Sequence, residues 1–192
     1  MGCVLLILGA GCKPAAPPAA SPPSPSAAPT TGAAEKLTPG WKVTSTAFAD
    51  GARIPVKYTQ DGAGVSPPLA WTLVPTAAKE LVLICDDPDA PQGTFTHWVA
   101  YGLDPGVSRL PEALATDPAI AEPGLKQGMN SGHHVGYLGP LPPPGKIHHY
   151  HFQLFAVSVK LNLTPSVSKE DVVTAMDGKI VGQAELVGTY SK

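Results

Sequence analysis

Residues 81–85, Leu-Val-Leu-Ile-Cys, are apolar at every position and run directly into Asp86-Asp87-Pro88-Asp89-Ala90-Pro91. A strand with one wet face alternates polar and apolar side chains. An unbroken apolar run therefore predicts a central strand covered on both faces. The acidic, proline-punctuated stretch marks the end of that strand. Its three carboxylates either form a turn that stays in water or line a site where one of them meets a ligand.

Further strands are predicted over 43–48, 54–58, 95–101, 150–159 and 184–190, several of them rich in β-branched and aromatic residues. Asp61-Gly62, Ser66-Pro67-Pro68 and Pro140-Leu141-Pro142-Pro143-Pro144-Gly145 read as loops. With 20 Gly and 23 Pro against 15% charged residues, the chain is built for turns rather than long helices. Irregularly spaced strands with long loops point to a mostly β sandwich of sheets instead of alternating βα units. The best helix is 168–176, with Ser168 as N-cap, Glu170 and Asp171 in the first turn and Gly178 past its end. A weaker helix is expected at 111–115.

The 192 residues suit one domain of ordinary size, and the net charge of -2 with no Lys/Arg run excludes a nucleic-acid binder. Cys3, Cys12 and Cys85 form neither a disulfide framework nor a metal-type cluster, and Cys85 reads as a small buried hydrophobe.

The N-terminus stands apart. Val4-Leu5-Leu6-Ile7-Leu8, then Gly9-Ala10-Gly11, then Cys12 resembles the end of a bacterial lipoprotein signal, in which the Cys is acylated. It departs from that pattern in having Gly9 where a Leu is usual and in lacking a basic start. The bland alternative is an apolar tail too short to span a bilayer. A myristoyl signal would need Ser or Thr where Leu6 stands. Residues 13–36, opening KPAAPPAASPPSPSAAPTTGAA, lack the large apolar side chains that would offset the entropy of ordering. The expected organisation is a signal segment over 1–12, a tether over 13–36 and a folded domain over 37–192. The protein would then be exported and anchored to a membrane through Cys12, on the periplasmic side or at the cell surface.

All six histidines follow residue 96, and five lie between 133 and 151. In 148–154, alternation puts His148, Tyr150 and Phe152 on one face and His149, His151 and Gln153 on the other. In 95–101 the same rule groups His97 with Phe95 and Val99. Buried His and Tyr side chains must find partners or line a pocket. Strand-type His spacing without HxxxH or CxxC argues against a metal site, and neither a G-x-S-x-G elbow nor an activated Cys supplies a nucleophile. Residue by residue, mutual satisfaction in the core explains these groups as well as a site does.

The motifs shift that balance. DPDAP, FTHWVAYGL and GYLGPLPPPGKIHHYHFQLFAV, with Ser66-Pro67-Pro68-Leu69-Ala70-Trp71 and the segments Phe48–Gly51 and Ile54–Thr59, resemble the phosphatidylethanolamine-binding protein (PEBP) family in its bacterial, Raf-kinase-inhibitor-like branch (YbhB/YbcL type). The resemblance covers essentially 41–190. It implies a PEBP-like β-sandwich of two antiparallel sheets with a short C-terminal helix. It also implies a small pocket for phosphate, a phosphorylated headgroup or a similar, acetate-like anion; no cofactor and no metal are expected. Carried over by position, the ligand-binding residues are Asp87, His97, His148 and Tyr150, and the pocket wall is Asp89, Pro91, Pro142 and Pro143. His97, His148 and Tyr150 would donate to anionic oxygens. Asp87 would orient one imidazole and favour its protonated form, so anion binding should weaken as pH rises. Asp86 is expected to be either a solvated or a strand-end residue.

Three departures from the family pattern stand out. His149 replaces an Arg and is expected to face away from the pocket. Ser131 stands where relatives have Asp, and His133-His134 follow as loop residues. The protein is thus expected to bind a small anion, with the membrane as its other partner. An interaction module inhibiting a kinase or protease is the alternative, and hydrolysis of a phosphorylated or esterified ligand a third.

Overall fold

The computed structural model describes residues 1–2, 37–115 and 124–192. Cys12, the rest of the signal segment beyond residue 2 and the tether therefore lie outside the described residues. Strands β1 (Lys42–Thr44), β2 (Leu69–Thr72) and β5 (Arg109–Leu110) form a small antiparallel sheet in the order β1-β2-β5. Strands β3 (Glu80–Asp87), β4 (Phe95–Leu103), β6 (Lys126–Gln127), β7 (His148–Val157) and β8 (Ile180–Tyr190) form a five-stranded antiparallel sheet in the order β6-β4-β3-β7-β8. One helix, α1 (Lys169–Met176), lies between β7 and β8 in sequence. The mostly β, two-sheet architecture is the one expected.

Strand β3 sits at the centre of the larger sheet, and Leu81 through Cys85 are all buried. Leu81, Leu83 and Cys85 face the smaller sheet, packed with Trp98, Phe152 and Leu154 from their own sheet and with Val43, Leu69 and Trp71. Val82 and Ile84 face the other way, into a second core with Val99, Tyr101, Val172 and Met176. Two apolar cores on opposite sides require a strand with no polar face, which explains the unbroken run. No helix among the described residues is long and apolar enough to cross a membrane.

Several segments differ from expectation. The strand expected over 54–58 is instead one bridge, Arg53 to Thr189, followed by a 3-10 turn at Val56–Tyr58. Pro55 has no N–H to continue a ladder and its φ of -59° suits the turn. β1 ends at Thr44 because Ser45 turns the chain, its hydroxyl donating to the Pro68 carbonyl (2.6 Å) and accepting from the Ala47 N–H (3.1 Å). Residues 111–115 make a turn, not a helix. β2 follows directly on Ser66-Pro67-Pro68, where composition marked only a loop. Helix α1 has the predicted N-cap: Ser168 Oγ accepts from the Asp171 N–H, and the Asp171 carboxylate accepts from the Ser168 N–H.

Candidate functional site

The site lies where β3 ends and β4 and β7 begin. By strict alternation His97 would share a face with Val99, but Val99 packs against α1. The pairing explains the difference: Cys85 pairs with Trp98 and Asp86 with Thr96, so His97 is the extra residue of a β-bulge. The bulge turns His97 to the sandwich side, where its ring meets Tyr150 edge-on at 5.1 Å and packs against Phe95 at 4.9 Å. His148 and Tyr150 reach that side by simple alternation, and both are only 1% exposed.

Asp87 is the hub. Its Oδ2 accepts from His148 Nδ1–H at 2.7 Å, in a pair buried on both sides. Its Oδ1 accepts the Asp89 backbone N–H at 2.9 Å, closing the turn at Pro88. A carboxylate can only accept, so the proton lies on His148 Nδ1 and leaves Nε2 toward the interior. His97 is held in the same sense, its Nδ1–H donating to the Leu138 carbonyl at 2.7 Å while the Leu138 N–H donates to the His97 carbonyl at 2.8 Å. The ring hydrogen that the sequence reading assigned to an anionic oxygen is thus used by the backbone of the GYLGP segment.

Two polar atoms in this cluster, His148 Nε2 and the Tyr150 hydroxyl, are buried without a hydrogen-bond partner among the described residues. Trp41 Nε1 is the other such side-chain atom among them. Burial, with the Asp87 charge second and the approach of that carboxylate to the hydroxyl, too loose for a formed hydrogen bond, acting the same way, holds the Tyr150 phenol well above its ordinary pKa, so it stays a hydroxyl that can donate. Burial also lowers the His97 pKa, outweighing its bond to Leu138 and the charges of Asp87 and Asp86, which act upward. Thiol ionisation at Cys85 is strongly disfavoured by burial, as expected of an inert packing residue.

The structure thus brings Asp87, His97, His148 and Tyr150 together. It does not turn the Asp89 carboxylate into the cluster. Asp89 is exposed and accepts from the backbone N–H (2.9 Å) and Nδ1–H (2.7 Å) of His149, which lowers its pKa. His149 does face outward as expected, and its ring and backbone N–H bond the Asp89 carboxylate there. Pro91 and Pro143 are exposed and Pro142 is buried, in the loops beside Asp89 and before β7. Asp86 is not open to water: it accepts from Lys169 Nζ (2.6 Å) and the Thr96 hydroxyl (2.8 Å) on the α1 side of the sheet. His133 and His134 are exposed loop residues, while Ser131 Oγ accepts the Thr96 N–H at 2.9 Å. Sequence reasoning missed the Leu138 carbonyl, since a backbone acceptor has no residue-type signature; only its place inside a quoted motif pointed to it.

Among the described residues no three His, Cys, Asp or Glu side chains are placed to hold a metal. A cavity of about 580 Å³ opens elsewhere, along Leu37–Ser45 and beside Glu185 and Leu186; it contains none of the four site residues.

The sequence profile of the phosphatidylethanolamine-binding protein family matches residues 44–191. A UPF0098 protein of Methanothermobacter thermautotrophicus is 47% identical over 146 residues, covering 76% of this chain and 95% of the relative. Another from Aquifex aeolicus is 46% identical over 153 residues, covering 79% and 88%. Among solved structures, a phosphatidylethanolamine-binding protein homolog from Chlamydia trachomatis is 43% identical with a TM-score of 0.71, over 79% of this chain and 97% of the other. Escherichia coli YbcL, described as a member of the mammalian PEBP family, is 27% identical with a TM-score of 0.74, over 79% and 98%.

Proposed function

Since this chain belongs to the phosphatidylethanolamine-binding protein family, we propose that it is a binding protein whose site, formed by Asp87, His97, His148 and Tyr150, receives a small phosphate-bearing anion. One observation carries this reading: His148 Nε2 and the Tyr150 hydroxyl are buried in one cluster without partners. Each unpaired buried polar group costs about 1–3 kcal/mol. A fold tolerates such a cost at a place where a ligand supplies the missing bonds.

The chemistry follows from the committed atoms. With Nδ1–H given to Asp87, His148 can donate from Nε2 only as an imidazolium. The Tyr150 O–H supplies a second donor. An anion therefore enters together with a proton, and affinity weakens as pH rises. A titration with inorganic phosphate, followed by the histidine ring signals in NMR at low and high pH, checks this. His148→Ala should abolish the response; ring signals that stay put at both pH values in the unmodified protein would sink the reading.

A further inference from the structure

We infer that this site selects an anion that carries its own hydroxyl, hydrogen phosphate or a singly protonated phosphomonoester, over sulfate, a carboxylate or a phosphodiester. The inference rests on the anion reading just given and deepens it through His97.

A site for a fully deprotonated anion should offer donors alone, because such an anion only accepts. This one does not. The Nδ1–H of His97 is held in a reciprocal pair with Leu138, leaving Nε2 on the opposite edge of the ring without a protein partner among the described residues. The ring is 5% exposed and is flanked by Phe95 and Tyr150, surroundings that disfavour a second, charging proton. The titratable groups around it are Asp86 and Asp87 on β3 and His148 and Tyr150 on β7. Of these, the carboxylates act to raise its pKa and His148 to lower it, and burial outweighs them in keeping the ring neutral. His97 Nε2 is then an acceptor on a ring that touches Tyr150, whose hydroxyl is orphaned together with His148 Nε2; on the anion reading those two atoms are the donors.

Two donors and one acceptor match a tetrahedral anion with at least two bare oxygens and one O–H. The ligand hydroxyl donates to His97 Nε2 while its charged oxygens accept from Tyr150 and His148. Hydrogen phosphate keeps a hydroxyl throughout the neutral range. A phosphomonoester loses its own above a second pKa of about 6, whereas sulfate and phosphodiesters have none to give. An anion without it leaves the His97 nitrogen facing a bare oxygen, a mismatch that should weaken binding about tenfold or more.

Calorimetry on the whole chain at neutral pH, with inorganic phosphate and sulfate as probes, decides the matter. Phosphate should bind about tenfold tighter or better, and methyl phosphate should bind well only on the acid side of its second ionisation. His97→Phe keeps a ring between Phe95 and Tyr150 but removes the acceptor, so the preference should shrink to within about twofold. Should that variant not fold, imidazole nitrogen shifts of the unmodified protein serve instead: with phosphate bound, His97 Nε2 should remain unprotonated. Equal affinity for sulfate and phosphate, or a protonated His97 Nε2 in the complex, overturns the inference and leaves the anion site standing. Binding of neither anion overturns the anion site itself. Vesicles carrying phosphatidic acid, compared with phosphatidylcholine vesicles, separate the two sources of a monoester. Retention by the former, reversed by inorganic phosphate, points to a lipid headgroup, and response to soluble phosphate alone to the free ion.

Discussion

Asp87 shows how one residue decides the character of its neighbours. Both its oxygens are committed, one to His148 Nδ1–H and one to the Asp89 N–H. The acidic turn and the first residue of β7 therefore move as one piece. Replacing it by Asn keeps the size but puts an amide nitrogen where an acceptor is needed. The His148 Nδ1–H also loses its charged acceptor. Asp87→Asn should therefore weaken inorganic phosphate binding about tenfold or more, read by the same calorimetric titration. An affinity unchanged by the substitution would remove Asp87 from the site. Much of this was legible beforehand: period-two alternation was enough to put His148 beside Tyr150. The different duties of Asp86, Asp87 and Asp89 were not, because which carboxylate meets which cation depends on partners far away in sequence, such as Lys169, 83 residues from Asp86.

At the level of elements, the bulge in β4 matters most to the site, and it is the feature the sequence concealed best. A residue inserted into a ladder leaves the apolar pattern on either side intact, so FTHWVAY reads as a regular strand. Only the pairing of β3 with β4 reveals that His97 and Trp98 point the same way. The burial of β3 on both faces was legible because it needs no register, while the end of the Ile54 segment was not, because Pro55 and a single bridge to β8 override its apolar character. Helix α1 was legible from its cap. At 8 residues it is too short to hold itself in water and depends on Val172 and Met176 packing over Val99 and Tyr101. Its capping box is an independent contribution. Ser168→Ala removes the acceptor of the Asp171 N–H and should lower stability by about 1 kcal/mol, measurable as a lower urea midpoint with unchanged slope. Phosphate affinity should not change, since the box lies on the far side of the sheet from Asp87.

Across the whole molecule, histidines placed in opposite environments should give folding stability a maximum near the ordinary histidine pKa of 6.5. His97 is buried and its folded pKa lies below that value. Between its folded pKa and 6.5 the unfolded chain binds the proton that the folded chain refuses, so its contribution is complete above 6.5 and is lost as pH falls through the folded pKa. His151 behaves in the opposite way. Its hydrogen bond to Glu185, 2.9 Å from Nδ1, raises its folded pKa above 6.5, with burial opposing and the charges of Glu185, Asp89 and Asp86 assisting. Its contribution is complete below 6.5 and is lost as pH rises through the folded value. The alkaline limb should be the shallower, because the His151 pair lies partly in solvent and is screened there. Urea denaturation across pH, in a buffer free of phosphate, should trace this asymmetric dome. His151→Gln should flatten only the alkaline limb and His97→Phe only the acid one. A dome unmoved by both substitutions would mean that other groups set it. Adding phosphate should then raise stability more at the acid end than at the alkaline end, because the anion binds together with a proton.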